Sequence, residues 1–240
     1  MTLSLIVPVF NSPDLVQALL GHVPGLKAAA AACGDDLIEV ILSDDGSQPS
    51  IAEQLSGGCA TAWSIAGVPV TILRNEENLG KGHAVKIAAL AAKGEWVLMS
   101  DADESAPLVE YAKLAVARAP NVWLVCGSRY VQSAPVPGLP LRRRILSRIF
   151  NLLVRLAGIG EISDTQCGFK LFWMPRLRAV LGALRITRFA FDVELIANVR
   201  KAGGLVAEVP VAWCGGHRSS LRLWRDAPQM LWDLMRIVRG

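Results

Sequence analysis

The sequence predicts an α/β protein with a mostly parallel central sheet and helices on both of its faces. The first 128 residues alternate short apolar runs with longer segments of helical periodicity, which is the pattern of a parallel sheet. Runs such as Trp96-Val97-Leu98-Met99 contain no polar residue, as expected for strands buried on both faces. Polar clusters follow three of these runs, at the sheet edge where open α/β proteins bind ligands.

The individual elements follow in chain order from the same patterns. The apolar runs predict strands at residues 3–9, 37–43, 68–73, 95–100, 122–127 and 205–213. Helical periodicity predicts helices at about 14–32, 50–60, 80–93, 107–118, 142–157, 191–202 and 228–239. Three prolines and a glycine over residues 133–141 predict a loop ahead of the helix at 142–157.

Length and composition indicate a chain that can bury a sizeable core. With 240 residues, 52% of them hydrophobic, we expect a single domain over residues 1–240. The five cysteines are scattered and form no C-x-x-C pair, which argues against a disulfide framework or a zinc site and favours a reducing compartment. No signal peptide and no transmembrane helix are predicted, because neither a basic leader nor a long uncharged apolar stretch is present.

Charge divides the chain into two unlike halves. Residues 1–128 carry 7 Lys and Arg against 14 Asp and Glu, whereas residues 129–240 carry 18 against 7, and 16 of those 18 are arginines. Because the planar guanidinium suits phosphate, the second half is predicted to meet anions such as nucleotide phosphates, a lipid phosphate or an acidic membrane face. No aromatic-interleaved basic motif accompanies this charge, so nucleic acid is not an expected partner.

The predicted helix at 142–157 has a wide apolar arc beside a narrow polar stripe. The stripe consists of Arg144, Arg148, Asn151 and Arg155. Such a helix either lies in a membrane interface or packs its apolar arc on the core and leaves the stripe in solvent. Periodicity alone does not separate these two arrangements.

Two polar clusters at strand ends are candidates for ligand binding. Asp101-Ala102-Asp103 places two carboxylates at i, i+2, which can direct oxygens at one hard cation that would hold a phosphate-rich ligand. The alternative for an isolated pair is a solvated turn, in which Asp is common. Asp44-Asp45-Gly46-Ser47 follows another strand, and its carboxylates can hydrogen-bond the base or ribose of a nucleotide.

Three further clusters carry polar groups. Asn78-Leu79-Gly80-Lys81-Gly82 opens a helix with glycines that let backbone N–H groups approach an anion, but it lacks the spacing of a dinucleotide fingerprint or a P-loop. Gly127-Ser128-Arg129 ends a strand from which the arginine can reach a pyrophosphate. Residues 164–170 surround Cys167, which we interpret as a buried small side chain rather than a nucleophile, since no histidine lies near it in sequence.

These motifs, in this order and spacing, resemble those of the family 2 glycosyltransferases of the GT-A fold. The matching segments are Val7-Pro8-Val9-Phe10-Asn11 and the motifs at 44–47, 78–82, 101–103 and 127–129. Residues 164–172 and 191–195 are similar to those of the polyprenyl-phosphate branch, which includes the dolichyl-phosphate β-glucosyltransferases and, less closely, the dolichol-phosphate mannose synthases. The resemblance implies a nucleotide-sugar-binding half at 1–128, and an acceptor- and membrane-facing half at 129–240 that ends in an extension with amphipathic helices.

The resemblance also implies an activity and its partners. We expect inverting transfer of a hexose, glucose before mannose, from a nucleotide sugar of the UDP-glucose or GDP-mannose class to a polyprenyl or dolichyl phosphate. A divalent metal, Mg²⁺ or Mn²⁺, is the expected cofactor. The expected location is cytoplasmic, peripheral at the inner face of the cytoplasmic membrane.

Site residues are carried over by position. Asp103 and Asp101 are the expected metal ligands, and Asp103, Arg129 and Asp164 the expected catalytic residues. Donor-binding residues are expected at Pro8, Phe10, Asp44, Asp45, Lys81, Asp101, Ala102, Asp103, Arg129, Arg218 and Arg222. Relatives carry Gly-Ser-Lys where this chain has Arg218-Ser219-Ser220, so Arg218 and Arg222 are the candidates to replace that lysine. Position 12 is Ser where many relatives are acidic, and position 10 is Phe where Tyr is usual.

Three alternatives remain open from the sequence. A glycosyltransferase acting on a hydroxyl acceptor would need a base, for which Asp164 is the candidate. A sugar-nucleotide pyrophosphorylase would carry a glycine- and arginine-rich loop after the first strand, which Pro8-Val9-Phe10-Asn11-Ser12 is not. A membrane-surface binding module that has lost catalysis is disfavoured by the intact Asp101, Asp103 and Arg129.

Overall fold

One sheet of eight strands organises the described part of the chain. The computed structural model describes residues 1–56, 62–131, 141–159, 162–214 and 223–239. The strands are β1 (Thr2–Val9), β2 (Asp36–Asp45), β3 (Ala62–Ile65), β4 (Val68–Asn75), β5 (Trp96–Ser100), β6 (Val122–Ser128), β7 (Phe169–Trp173) and β8 (Leu205–Pro210). Their order is β3-β4-β2-β1-β5-β7-β6-β8, and only β3 and β7 run antiparallel to their neighbours within these residues.

Helices cover both faces of this sheet, as predicted. They are α1 (Pro13–Gly21), α2 (Val23–Ala32), α3 (Ile51–Ser56), α4 (Lys81–Ala91), α5 (Tyr111–Val116), α6 (Leu141–Leu156), α7 (Met174–Ala183), α8 (Phe191–Lys201) and α9 (Leu223–Arg239), with a 3₁₀ turn at Leu108–Glu110 before α5. Successive side chains of β1 point to opposite faces of the sheet and so contribute to two hydrophobic cores. Leu5 and Val7 pack with α1, α2 and α5, whereas Ile6 packs on the opposite face with α4, α7 and α8. The predicted fold class is confirmed.

Several predicted boundaries need correction. The helix predicted at 14–32 is two helices that meet at His22, because Pro24 occupies the first turn of α2 and cannot continue a preceding helix. The C-terminal helix begins at Leu223, and Pro228 lies inside it. The strand predicted to reach residue 213 ends at Pro210. Three elements were not predicted at all, namely β3, β7 and α7.

The orientation of α6 differs from that of a core-packing helix with a solvated polar stripe. Asn151 from the stripe is buried, whereas much of the apolar arc faces outward. The exposed side chains are Ile145, Ile149, Leu152, Leu153 and Leu156. The C-terminal helix α9 also exposes apolar side chains, namely Leu231, Trp232, Met235 and Val238. Among the described residues, no helix combines the length and the apolar character needed to span a bilayer.

Candidate active site

The carboxyl edge of the parallel strands brings most of the predicted site residues together. Val9 of β1 lies opposite Asp44 of β2, and β1 also pairs with β5, so the segments that follow these strands begin side by side. Pro8 is half-buried near the end of β1, and the ring of Phe10 beyond it is 42% exposed. An exposed aromatic ring at this edge offers a surface on which a nucleobase can stack.

Asp101 is held by an ion pair and by a close backbone contact. Its Oδ1 lies 2.6 Å from Lys81 Nζ, and its backbone N–H donates to the carbonyl of Gly168 at 3.1 Å. A Cβ atom at position 168 would lie only 1.9 Å from Asp101 Oδ2, so this carboxylate position requires glycine there. Burial alone would lower the pKa of Lys81, but the charges of Asp101 and Asp192 raise it overall. Lys81 is therefore a charged partner of the predicted metal ligand.

Asp103 lies two residues beyond Asp101 and is also partly buried. Its Oδ1 accepts a hydrogen bond from the Ser105 N–H at 3.1 Å. Burial, and then the charge of Asp101, raise the pKa of Asp103 above its usual value. Ala102 between the two acids is partly buried and has no polar side-chain atom.

The two acids fit a divalent metal that is also bound by substrate. Within the ranges that the structure describes, no cluster of three or more acidic, histidine or cysteine side chains could hold a metal ion alone. Mg²⁺ characteristically binds one or two carboxylates together with substrate phosphates, so a third protein ligand is not needed. Since Asp101 raises the pKa of Asp103 by repulsion, a cation between them would relieve that repulsion.

Asp45 organises the glycine loop that precedes α4. Its Oδ1 accepts hydrogen bonds from Asn75 Nδ2 at 2.9 Å and from the Leu79 N–H at 3.0 Å, and its Oδ2 accepts from the Gly80 N–H at 2.8 Å. Gly46 beside it has φ +78°, and a Cβ there would lie 2.5 Å from the Glu77 carbonyl carbon. The carboxylate thus fixes the loop that carries Lys81, and a direct contact with the donor stays a prediction.

Asp44 points away from this edge into its own turn. It is fully buried, and its two oxygens accept from the backbone N–H groups of Ser47 and Ile51, both at 2.9 Å. The carboxylate therefore closes the turn and caps α3. A direct contact of Asp44 with a nucleotide does not fit this geometry, because both oxygens are committed to the backbone.

The structure pairs the side chains of Arg129 and Asp164 with each other. Arg129 Nε and Nη2 donate to the two Asp164 oxygens at 2.7 and 2.8 Å, and the Arg129 backbone N–H donates to Oδ2 at 3.0 Å. The guanidinium also lies over the Trp213 ring, 4.8 Å from its centroid. Burial alone would lower the pKa of Arg129, but the adjacent Asp164 carboxylate raises it overall.

This pairing corrects the expectation for Asp164. Its side chain is inaccessible to solvent and both oxygens are held by a bidentate arginine, so it does not fit the role of a general base. A contact of Arg129 with donor phosphates stays a prediction that would require this buried pair to rearrange. Cys167 nearby is buried, as predicted, and burial raises the pKa of its thiol to about 12, which does not fit an activated nucleophile.

Sequence reasoning missed a second buried ion pair, Lys170 with Asp192. Lys170 Nζ lies 2.7 Å from Asp192 Oδ1, and it also donates to the Cys167 carbonyl. Burial alone would lower the pKa of Lys170, but the charge of Asp192 raises it overall. The available signal was a lysine inside the apolar run of β7, because a buried charge needs a partner elsewhere in the chain.

Glu194 of α8 was also missed as a structural residue of this edge. Its carboxylate accepts from the backbone N–H groups of Arg185 and Ile186, at 3.0 and 2.8 Å. The same segment continues to Thr187, whose carbonyl accepts from the His83 N–H at 3.0 Å near the start of α4. Glu194 therefore holds a segment that packs on the glycine loop.

Two predicted donor-binding residues, Arg218 and Arg222, lie outside the described residues. Their roles stay predictions.

Comparisons with known proteins identify the family of this chain. Residues 4–180 match the model of glycosyl transferase family 2. The dolichyl-phosphate beta-glucosyltransferase of Dictyostelium discoideum is 32% identical over 98% of this chain and 73% of its own length. The Drosophila melanogaster protein of that name is 33% identical over 98% and 74%.

Solved structures show the same fold at lower identity. Mannosyl-3-phosphoglycerate synthase from Rubrobacter xylanophilus superimposes with a TM-score of 0.68 at 20% identity, over all of this chain and 73% of its own. Glucosyl-3-phosphoglycerate synthase from Mycobacterium tuberculosis, crystallised with Mn²⁺, UDP and its product, gives 0.66 at 16% identity over 99% and 80%. The family match and the identity to its members show that this chain is a glycosyltransferase and belongs to glycosyl transferase family 2.

Proposed function

We propose that this chain transfers glucose, with inversion, from UDP-glucose to the phosphate of a dolichyl or related polyprenyl phosphate, in the presence of Mg²⁺ or Mn²⁺. The observation that carries the proposal is the pair Asp101 and Asp103 beside Lys81 at the carboxyl edge of the sheet. The names of its curated relatives support the sugar and the acceptor. Mannose from a GDP donor is the second choice.

The donor site is supported by the residues at this edge. Phe10 supplies an exposed ring for the base, and Asp101 and Asp103 are the residues that would hold the metal. When bound, the metal would neutralise charge on the departing nucleoside diphosphate. Lys81 lies where its ammonium can exchange Asp101 for a donor phosphate, since both side chains are partly exposed.

The acceptor chemistry is consistent with the buried, paired state of Asp164. An oxygen of the lipid phosphate attacks the anomeric carbon of glucose while the bond from that carbon to the nucleoside diphosphate breaks. A phosphate monoester is already anionic near neutral pH, because its second pKa is about 6. The acceptor therefore needs no proton removed, and the buried Asp164 is consistent with such a reaction. A hydroxyl acceptor would need a base that this residue does not offer.

A membrane surface is the proposed partner of the outward faces of α6 and α9. These faces expose apolar side chains beside exposed arginines, among them Arg148, Arg155, Arg236 and Arg239. Apolar groups next to arginines match a bilayer that carries anionic lipids, as the inner leaflet of the cytoplasmic membrane does. Peripheral attachment at that leaflet is the location that we propose.

A panel of labelled donors tests the reaction. The full chain is incubated with Mg²⁺ or Mn²⁺, each of several radiolabelled nucleotide sugars, and either a polyprenyl phosphate or water-soluble sugars. We expect label from UDP-glucose to enter the lipid phase only. Label that reaches only a water-soluble sugar would refute the acceptor, and label from GDP-mannose alone would refute the donor.

Co-sedimentation with vesicles tests the surface. Ile149→Glu with Leu152→Glu on α6 should abolish sedimentation with vesicles that contain anionic lipid, because two charges replace exposed apolar groups. Val116→Glu is the matched control, since Val116 is apolar and 84% exposed but lies on α5 on the other face of the sheet. Equal sedimentation of the α6 variant and the control would refute a membrane-bound α6.

A further inference from the structure

The segment 163–168 is attached to three different parts of the molecule. At its start, the backbone N–H groups of Ser163 and Asp164 donate to Glu208 of β8 at 3.0 and 2.8 Å. In its middle, Thr165 is bound to α6. At its end, Gly168 contacts Asp101. A short segment fixed in this way transmits a displacement of one attachment to the others.

The attachment to α6 depends on one buried side chain. Asn151 is 1% exposed, and its Oδ1 accepts from Thr165 Oγ1 at 2.7 Å and from the Thr165 N–H at 3.1 Å. A buried amide is costly unless it is hydrogen-bonded, and both bonds to Asn151 Oδ1 come from Thr165, so this pair specifies where the helix sits on the segment. The opposite side of α6 exposes Ile149 and Leu152.

The attachment to Asp101 is steric as well as hydrogen-bonded. The Gly168 carbonyl accepts from the Asp101 N–H, and the Asp101 carboxylate occupies the space that a Cβ at 168 would fill. The Asp101 side chain therefore packs directly against the Gly168 backbone. Thr165 is three residues from Gly168, so the two attachments are close along the chain.

We infer that Asn151 is a positioning residue for the metal-side carboxylate. Through Thr165 it fixes the segment 163–168, and through Gly168 that segment fixes Asp101. A contact at the outward face of α6 is thus transmitted through this segment to Asp101. Binding of α6 to a bilayer therefore orders the metal site. This inference rests on the proposed function for the identity of the metal and of the surface.

The test compares two substitutions at Thr165 by Mn²⁺ binding. Thr165→Val keeps the shape but removes the hydroxyl donor, whereas Thr165→Ser keeps the donor. Mn²⁺ affinity is measured by electron paramagnetic resonance in the presence of UDP, with no sugar and no lipid acceptor. We expect Thr165→Val to weaken Mn²⁺ binding about tenfold, as loss of an outer-shell partner does, and Thr165→Ser to bind like the unmodified chain. Equal affinities of the two variants would overturn the inference.

A double-mutant cycle separates this link from general damage to the fold. Asn151→Ala removes both hydrogen bonds from Thr165, and Thr165→Val removes one of the same two, so the double variant should bind Mn²⁺ no more weakly than the worse single variant. Additive losses would mean that each residue acts separately and would overturn the inference. Thermal unfolding of each variant identifies those that remain folded at the temperature of the titration.

Vesicles with anionic lipid provide the second arm. They should raise the Mn²⁺ affinity of the unmodified chain and of Thr165→Ser several-fold, but not that of Thr165→Val. Vesicle binding without this change in affinity would overturn the transmission from α6. Failure of the unmodified chain to bind vesicles would instead refute the membrane part of the proposed function, and the comparison in solution would still decide the role of Asn151.

Discussion

Two pairs of a cation and a carboxylate lie near the same edge of the sheet, and they differ in burial. The side chains of Lys81 and Asp101 are 20% and 28% exposed and meet at 2.6 Å, whereas those of Arg129 and Asp164 are 4% and 0% exposed and meet at 2.7 Å. The first pair has water beside it, so its partners can be exchanged for a ligand at modest cost. The second pair cannot separate without leaving a charge buried. Exposure, rather than charge or distance, therefore separates the pair that a ligand can reach from the pair that is closed to solvent.

The largest effect is expected at the carboxylate next to the exposed pair. Asp103→Ala should lower metal-dependent transfer by about a hundredfold or more, because a proposed metal ligand is removed, while the thermal unfolding temperature stays close to that of the unmodified chain. The rate at which label is transferred to the lipid measures this loss of activity. Asp36→Ala is the matched control, since Asp36 is exposed at the start of β2. Full activity of Asp103→Ala at any metal concentration would refute the proposed metal site.

The two pairs should lose different amounts of stability when the cation is removed. Arg129→Met should lower the free energy of unfolding by about 3–5 kcal/mol, because Asp164 is left buried and unpaired. Lys81→Met should lower it by about 1 kcal/mol or less, since Asp101 retains access to water. Urea unfolding followed by circular dichroism measures both.

The same two variants should differ in activity in the reverse order. Under conditions where both are folded, Lys81→Met should reduce the rate of transfer about tenfold or more through loss of a proposed phosphate contact. Arg129→Met should retain more activity per folded molecule than Lys81→Met. The reverse order would show that the buried pair opens during the reaction. Exposure would then not distinguish the pair that takes part in transfer from the pair that does not.

The smallest effect is expected at the thiol beside the buried pair. Cys167→Ala should change the rate of transfer per folded molecule by less than about twofold, because burial raises the pKa of the thiol to about 12 and keeps it unreactive. Native protein should also protect this thiol from iodoacetamide, while the exposed Cys214 reacts. A large loss of activity in Cys167→Ala would show that the buried region around Arg129 and Asp164 takes part in the reaction.

In the first half of the molecule the sequence missed β3 and joined α1 to α2, but it identified the parallel strands because the rules for them are local. Apolar runs mark the parallel strands, and parallel strands end at one edge, so Asp45 and Asp101 could be placed together without a structure. The partner of Arg129 could not be found in this way, because Asp164 is 35 residues distant and no periodicity connects them. For α6 the sequence defined the polar stripe, but only the hydrogen bond from Thr165 shows that Asn151 faces inward.

The antiparallel strand β7 was missed for a physical reason of its own. Its second residue is Lys170, a charge in the apolar run that predicts a strand, and Asp192 of α8 neutralises that charge. Tertiary pairing of this kind overrides the local preference for apolar residues in a buried strand.

The place of β7 in the sheet also limits how the enzyme can move. It comes from the second half of the chain, yet it lies between β5 and β6 and hydrogen-bonds to both. The two halves therefore share a continuous backbone ladder, and no hinge can open between them without breaking the centre of the sheet. Within the described residues the sheet is therefore one platform that both halves share, rather than a pair of lobes that close on each other.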